Sequence, residues 1–348
     1  FMNLFSSNRC FISDNWQHNG MKVVWLENNF LKIGVLVGRG ADIFEFKYKP
    51  RDVNFLLRLP GKIKNPQKIF AQKRDTPNQM EDYYYGGWQE IVPNSKSFNY
   101  RGASLGQHGE IWGIPWDYSI LNNSKDKVSV TCWTRPMRIP LLIEKTLHLE
   151  SGCPVLKVES SVTNESPQPF DLMWGQHIAF GLPFLKERVR IEVNAKKMVA
   201  APEMPEPRRF KPEIETNWPI AYTLNGSKID ASSVPEEHMM PYSDLAFLSG
   251  FGNTGEYRII NEEHDVGFGL KWDASLYKYI WYWQERYGIQ DAPWWGRTYA
   301  VALEPWTSKH TNRPGKAIKD GDWLQLKPFE KKVTELEAYP VDKEYLNE

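Results

Sequence analysis

Cysteine is scarce in this chain: Cys10, Cys132 and Cys153 are the three thiols in 348 residues. An odd number without a CxxC spacing excludes a disulfide framework and a structural zinc site, and fits a reducing compartment. Net charge is absent as well, since 43 basic and 43 acidic residues cancel. Without a basic footprint for a phosphate backbone, nucleic acid is not an expected partner. No apolar run is long enough to span a bilayer as a helix, and Phe1 to Asn15 has no apolar core of a secretory signal. A cytoplasmic protein without a membrane partner is the expectation. Also missing is any sustained helical stripe with a cap at each end. That absence excludes a helical architecture.

What is present is aromatic. Fifteen Trp stand in the chain, several in close pairs: Trp112 with Trp116, Trp281 with Trp283, Trp294 with Trp295. Such rings either fill a large β core or stack on the C–H faces of sugars, with Trp N–H and Tyr O–H binding at the edges. Period-2 patterning dominates the rest. Leu156, Val158, Ser160 and Val162 alternate with Lys157, Glu159, Ser161 and Thr163, as a half-buried strand requires. Ile143, Leu147 and Leu149 alternate likewise, and the turn-forming link 150–154 joins the two runs into a hairpin. Further strands are expected over 22–26, 31–37, 128–133, 170–176, 189–193, 257–261, 266–272, 277–283, 298–303, 323–326 and 333–338. The fold class is all-β.

Residues 62–82 and the proline-rich 200–242 break the rhythm and read as long loops, which inside compact domains tend to carry function. Strand patterns of one kind continue on both sides of each, so residues 1–348 read as a single domain.

Four segments carry chemistry. Gly86–Asn94 packs glycines with Trp88, Gln89 and Asn94; glycine lets backbone approach a ligand, and amides both give and accept hydrogen bonds, as hydroxyls demand. His108 stands in Gly106–Trp112, His177 follows Gln176 in Leu172–Gly181, and Glu304 lies in Tyr299–Trp306. A histidine gives or takes a proton near neutrality, and a glutamate in apolar surroundings titrates in the same range. An acid and a base on opposite sides of a sugar ring, with a ring-wide gap between them, would move protons on and off it without metal or cofactor. Trp281 and Trp283, two apart on a strand, share one face; Trp283, Gln284 and Gln176 join Trp88, Gln89 and Asn94 as candidate sugar-binding residues.

Together these segments resemble the aldose 1-epimerase, or galactose mutarotase-like, superfamily over about 35–326. Trp174-Gly175-Gln176-His177-Ile178-Ala179-Phe180-Gly181 is similar to the family's histidine segment, which follows an Asn-x-Ser turn, here Asn164-Glu165-Ser166. Leu303-Glu304-Pro305 is similar to its glutamate motif and Gly106-Gln107-His108-Gly109 to its first His-Gly motif. The chain departs from the family at Ile178 and lacks the Asn-Arg motif, as a divergent member would. The resemblance implies a β-supersandwich and interconversion of sugar anomers, with His177 protonated as general acid, Glu304 ionised as general base and His108 a second hydrogen-bonding group.

Three other readings use the same residues. A metal enzyme would gather His108, Glu110, His177 and Glu304, the first two sharing a strand face. A noncatalytic module would hold saccharides on a tryptophan platform. A lyase or a sugar-phosphate epimerase would bind carboxylate or phosphate through Arg39, Arg101 or Arg297.

Overall fold

The structure is a computed structural model that describes residues 9–61, 63–68, 79–236, 240–342 and 344. Among the described residues, two antiparallel sheets carry most of the chain. The larger runs, edge to edge, through Phe11–His18, Met21–Glu27, Leu31–Leu36, Asp42–Tyr48, Trp88–Ile91, Gly175–Gly181, Tyr299–Trp306, Tyr279–Arg286, Tyr242–Ser249, Lys197–Ala200 and Glu215–Asn217. The other runs through Ser233–Val234, Val189–Val193, Thr254–Asn261, Val266–Asp273, Lys331–Asp342, Leu156–Asn164, Leu141–Glu150, Lys127–Thr134 and Asp117–Asn123. This is the all-β architecture expected from the strand pattern, and the β-supersandwich that the family resemblance implies. The expected hairpin forms, with Leu147 opposite Val158.

Aromatic side chains from the two inner faces meet between the sheets. Phe46 and Phe180 of the larger sheet approach Phe268 of the smaller one at 5.0 and 5.1 Å between ring centroids, and Phe55 meets Phe184 at 5.0 Å. The inner face also carries a buried ion pair. Lys145 Nζ lies 3.7 Å from Glu90 Oε2, and the same carboxylate accepts from Trp174 Nε1 at 2.8 Å and Ser160 Oγ at 3.2 Å.

Strand alternation decides which residues leave this core. Trp88, Ile178, Phe180, Tyr282, Val301 and Leu303 point inward. Ala179, Trp281, Ala302 and Trp306 point to the outer face of the larger sheet, where a smaller apolar cluster forms. The small residues Ala179, Ala300 and Ala302 leave that face low, and loops from several strands wall it in. A cleft sits there.

Three loop and strand expectations change. The run 170–176 is two strands, Phe170–Leu172 and Gly175–Gly181, because Met173 N–H turns aside to donate to Pro93 O at 2.7 Å. The stretch 62–82 holds a short helix, Gln79–Tyr83, while 62 and 69–78 lie outside the described residues. Within 200–242 the short strands Glu215–Asn217, Ile220–Tyr222, Lys228–Asp230 and Ser233–Val234 form, and 237–239 lie outside the described residues. Among the described residues no helix is long and apolar enough to cross a membrane.

Candidate active site

Three neighbouring strands of the larger sheet build the floor of a cleft. Gly175–Gly181 pairs with Tyr299–Trp306, which pairs in turn with Tyr279–Arg286. In strands, residues two apart share a face, so His177 joins Glu304 and Trp306, with Trp281 and Trp283 beside them. Loops bring His108, Tyr84, Trp294 and His310 over this floor, enclosing about 330 Å³. That volume is at the lower end of small-ligand sites. A larger cavity of about 620 Å³ lies on the other side of Met80 and Gln107 and holds none of His108, His177 and Glu304.

His177 Nε2 stands 3.7 Å from Glu304 Oε1. The expected ring-wide gap between the two groups is therefore absent. Glu304 is fixed from behind. Trp306 Nε1 donates to its Oε2 at 2.9 Å, and the Trp306 ring stacks on Trp281 at 4.0 Å and 12°. Gly175 is required opposite this plate, since a Cβ there would meet the Trp306 ring at 2.2 Å.

Electrostatics revise the expected charge states. Burial pushes the Glu304 carboxyl up to about 8 and outweighs the Trp306 hydrogen bond, which acts the other way. Burial pushes His177 down to about 3, with neighbouring His108 acting in the same direction. Burial thus works against the expected ion pair of protonated His177 and ionised Glu304. Desolvation wins because both groups are buried, His177 at 8 % and Glu304 at 3 % exposure. Burial favours the uncharged form of each group, the carboxylic acid of Glu304 and the neutral imidazole of His177.

His108 is held by Ser95, which lies on the loop before the hairpin Phe98–Tyr100 and Ala103–Leu105. Its Nδ1 is 2.9 Å from Ser95 O; a carbonyl only accepts, so Nδ1 carries the proton and Nε2 is left as an acceptor. Burial lowers its pKa to about 4, so the ring is neutral. Its backbone is left-handed, φ 61°, a conformation that costs energy in a residue with a Cβ and occurs where surroundings over-determine it. The ring lies 5.7 Å from that of His177.

The other sugar-binding candidates separate by strand parity. Trp283 lines the cleft, as does Trp281. Trp88, Gln89, Asn94, Gln176 and Gln284 do not. Trp88 and Gln176 face the inner core, where Trp88 Nε1 donates to Gln176 Oε1 at 2.7 Å and Gln176 Nε2 donates to Tyr277 O–H at 3.2 Å. Gln284 faces away from Trp283 and accepts from Tyr242 O–H at 2.7 Å. Gln89 Nε2 donates to Gly86 O at 2.5 Å, and Asn94 Nδ2 donates to Lys96 O and Gly106 O at 2.9 and 2.7 Å. These two shape loops. Residues adjacent in a strand cannot both face one cleft, so Gln176 beside His177 and Gln284 beside Trp283 were excluded by the pleat.

Sequence reasoning missed Tyr84, Glu81, Gln107 and His310, which also line the cleft. They come from loops and from a short helix, where no periodic signal marks direction. His310 Nδ1 is 3.0 Å from Ser95 Oγ, the residue whose carbonyl holds His108.

The rival ligand sets do not assemble. Glu110 Oε1 accepts from Arg138 N at 2.9 Å and borders the larger cavity, away from His177. Among the described residues, the group with metal-ligand spacing is Glu187, Glu263 and His264, at the surface. Arg39 is buried and donates to Tyr83 O at 2.8 Å and Lys64 O at 3.2 Å. Arg101 donates to Pro169 O at 2.8 Å, and Arg297 borders an adjoining cavity that shares Glu81, Tyr84 and Trp294 with the cleft.

Comparison with known proteins bears on this geometry. Residues 18–212 match a family described as Domain of unknown function (DUF4432). No protein of curated function matches the chain by sequence. Among solved structures it is similar to a Klebsiella pneumoniae protein provisionally named an aldose 1-epimerase, at TM-score 0.70 and 14% identity, over 95% of this chain and 83% of that one. A galactose mutarotase-like protein from Clostridium acetobutylicum is similar at TM-score 0.62 and 16% identity, over 97% and 100%. A galactose mutarotase related enzyme from Lactobacillus acidophilus follows at TM-score 0.59 and 15% identity, over 91% and 97%. The chain shares the galactose mutarotase-like fold.

Proposed function

We propose that this chain, which belongs to the family described as Domain of unknown function (DUF4432), is an aldose 1-epimerase that interconverts the α and β anomers of a sugar by opening and closing its ring. The observation that carries the reading is the buried His177–Glu304 contact of 3.7 Å in an aromatic cleft. Ring opening removes the proton from the anomeric hydroxyl, forms the C1=O double bond, breaks C1–O5 and delivers a proton to O5. Rotation about C1–C2 followed by closure reverses each transfer on the other face. The proton count does not change. A pair holding one proton between two sites is suited to that task, because opening one anomer and closing the other use the two groups in mirrored order. The family resemblance makes His177 the acid and Glu304 the base. At rest the proton is on Glu304, so it passes to His177 across the contact as sugar oxygens replace the apolar surroundings. His108 Nε2 accepts a hydrogen bond from a neighbouring sugar hydroxyl.

The charge of the cleft favours an uncharged sugar. Glu81 and Glu203 line it, and among the described residues its one permanent cation is Lys96, whose Nζ is hydrogen-bonded to the Asn312 side chain. An anionic sugar would face two carboxylates and no arginine fork. Freshly dissolved α-D-glucopyranose and α-D-galactopyranose, followed by polarimetry, test the activity. Enzyme should speed the approach to rotational equilibrium in proportion to its concentration; no acceleration on any neutral aldose removes the reading.

Trp283 offers a half-buried ring face at the cleft, edge-on to Trp294 at 5.9 Å. Trp283→Ala should raise KM roughly tenfold by loss of stacking, with kcat changed less. An unchanged KM in a folded variant takes Trp283 out of sugar binding.

A further inference from the structure

Of three tyrosines in a row, Tyr83 lines the larger cavity, Tyr84 lines the cleft and Tyr85 packs in a separate buried cluster. The carbonyl of Tyr83 accepts from Arg39 Nη2 at 2.8 Å, and the Tyr85 hydroxyl donates to Asp42 Oδ2 at 3.0 Å. The Tyr84 hydroxyl is buried and has no hydrogen-bond partner among the described residues. A buried hydroxyl without a partner carries a desolvation cost that nothing offsets. Packing does not call for it, because phenylalanine would fill the same space.

The ring itself belongs to the cleft wall. Its centroid is 5.2 Å from that of His177, 5.7 Å from Trp294 and 6.3 Å from Trp283, and all three line the same cavity. Backbone geometry fixes it there. Gly86 and Gly87 follow with φ of 95° and 82°, and a Cβ on Gly86 would meet Leu57 O at 2.2 Å. The turn therefore requires glycine and leaves Tyr84 little freedom to move away. Burial, and next the charge of Glu304, push the phenol well above its usual range. It stays protonated and serves as a donor.

We propose that Tyr84 is a substrate-contacting catalytic residue, its O–H donating to the anomeric oxygen as that oxygen releases its proton during ring opening. This rests on the aldose 1-epimerase reading. The oxygen gains negative character as its proton moves to the His177–Glu304 pair and C1=O forms, and a fixed donor steadies that charge. Tyr84 neither gains nor loses a proton over the cycle. The sugar supplies the acceptor that the free protein lacks.

The test is Tyr84→Phe, assayed by polarimetry on whichever of α-D-glucopyranose and α-D-galactopyranose the wild type turns over faster, alongside a thermal melt. Loss of one donor to a developing oxyanion predicts a fall in kcat of roughly a hundredfold, with a melting temperature equal to or above that of the wild type. A purely structural tyrosine predicts the same or higher melting temperature and an unchanged kcat, and that result overturns the proposal. If the wild type accelerates neither sugar, the functional reading fails by itself, and tryptophan fluorescence titrated with the same two sugars decides on Tyr84. Binding at least tenfold weaker in Tyr84→Phe keeps it as a sugar contact. Equal binding, or none by either protein, removes it.

Discussion

Catalysed anomer interconversion should fall by about 10²–10⁴-fold in Glu304→Gln, and by a similar factor in His177→Asn, the range that one positioned proton donor or acceptor supplies. Gln keeps the shape of Glu and can still accept from Trp306 Nε1, which now donates to Oε2 at 2.9 Å, yet it cannot exchange a proton with the sugar. Asn keeps polarity at His177 without an imidazole. Because the two groups act as one proton-holding pair, 3.7 Å apart, the double variant should be little worse than either single one. Multiplicative losses would mean that the groups work independently. His108→Asn should cost less, since His108 contributes a hydrogen bond rather than the transferred proton. Should Glu304→Gln keep a near wild-type rate, a saccharide-binding role on the same cleft becomes the better account.

The second large effect is on stability and lies beneath the site. Lys145→Met should destabilise the fold by about 3–5 kcal/mol, the usual result of leaving one partner of a buried ion pair uncompensated. Lys145 and Glu90 are 1% and 0% exposed at their side chains, and Met preserves the apolar stem of Lys while deleting the charge. At 3.7 Å the contact is an ion pair rather than a short hydrogen bond, so the charge is what the substitution tests. Its loss leaves the Glu90 carboxylate to Trp174 and Ser160 alone. Adding Glu90→Gln should recover a large part of the loss, since replacing both partners of a buried pair is tolerated far better than removing one. Urea unfolding of the three proteins measures this. A Lys145→Met cost below about 1 kcal/mol would show that the carboxylate is neutralised by other means.

The parts of the fold legible in the sequence are those where one strand face is wet. Leu141–Glu150 and the first half of Leu156–Asn164 alternate cleanly because their outer residues meet solvent, and Val189–Val193 is found to the residue. Asp42–Tyr48 goes unread although Phe44, Phe46 and Tyr48 alternate with Glu45 and Lys47, whereas Tyr242–Ser249 escapes notice since its outer face is partly covered and six of its eight residues are buried. The same covering hid the direction of side chains at the site. Gly175–Gly181 and Tyr299–Trp306 are buried at every position, and hydrophobicity alone gives no sign of which parity faces the cleft. His177, Glu304 and Trp283 were found through chemistry and resemblance. Gln176 and Gln284 were chosen for their chemistry as well, but each lies one residue from a cleft residue and so on the opposite face. Trp88 likewise looked like a sugar platform because it follows two glycines; those glycines instead shape the turn that presents Tyr84. Tyr84 and His310 had no periodic signal at all, since their place depends on loops folding over the sheet.

The measurement that tests the shared-proton account most directly is the pH dependence of the wild-type rate of anomer exchange, corrected for the buffer. Burial places the loss of the carboxyl proton of Glu304 at about 8 and the gain of a second proton, on His177, at about 3. The singly protonated pair therefore exists between those limits, and the two limbs report the pair rather than either residue. The account predicts a rate that is flat through neutrality and falls about tenfold per pH unit above about 8, as the pair loses its one proton. A rate that keeps rising through pH 8 to 10, as a free carboxylate base working without an acid would give, contradicts it.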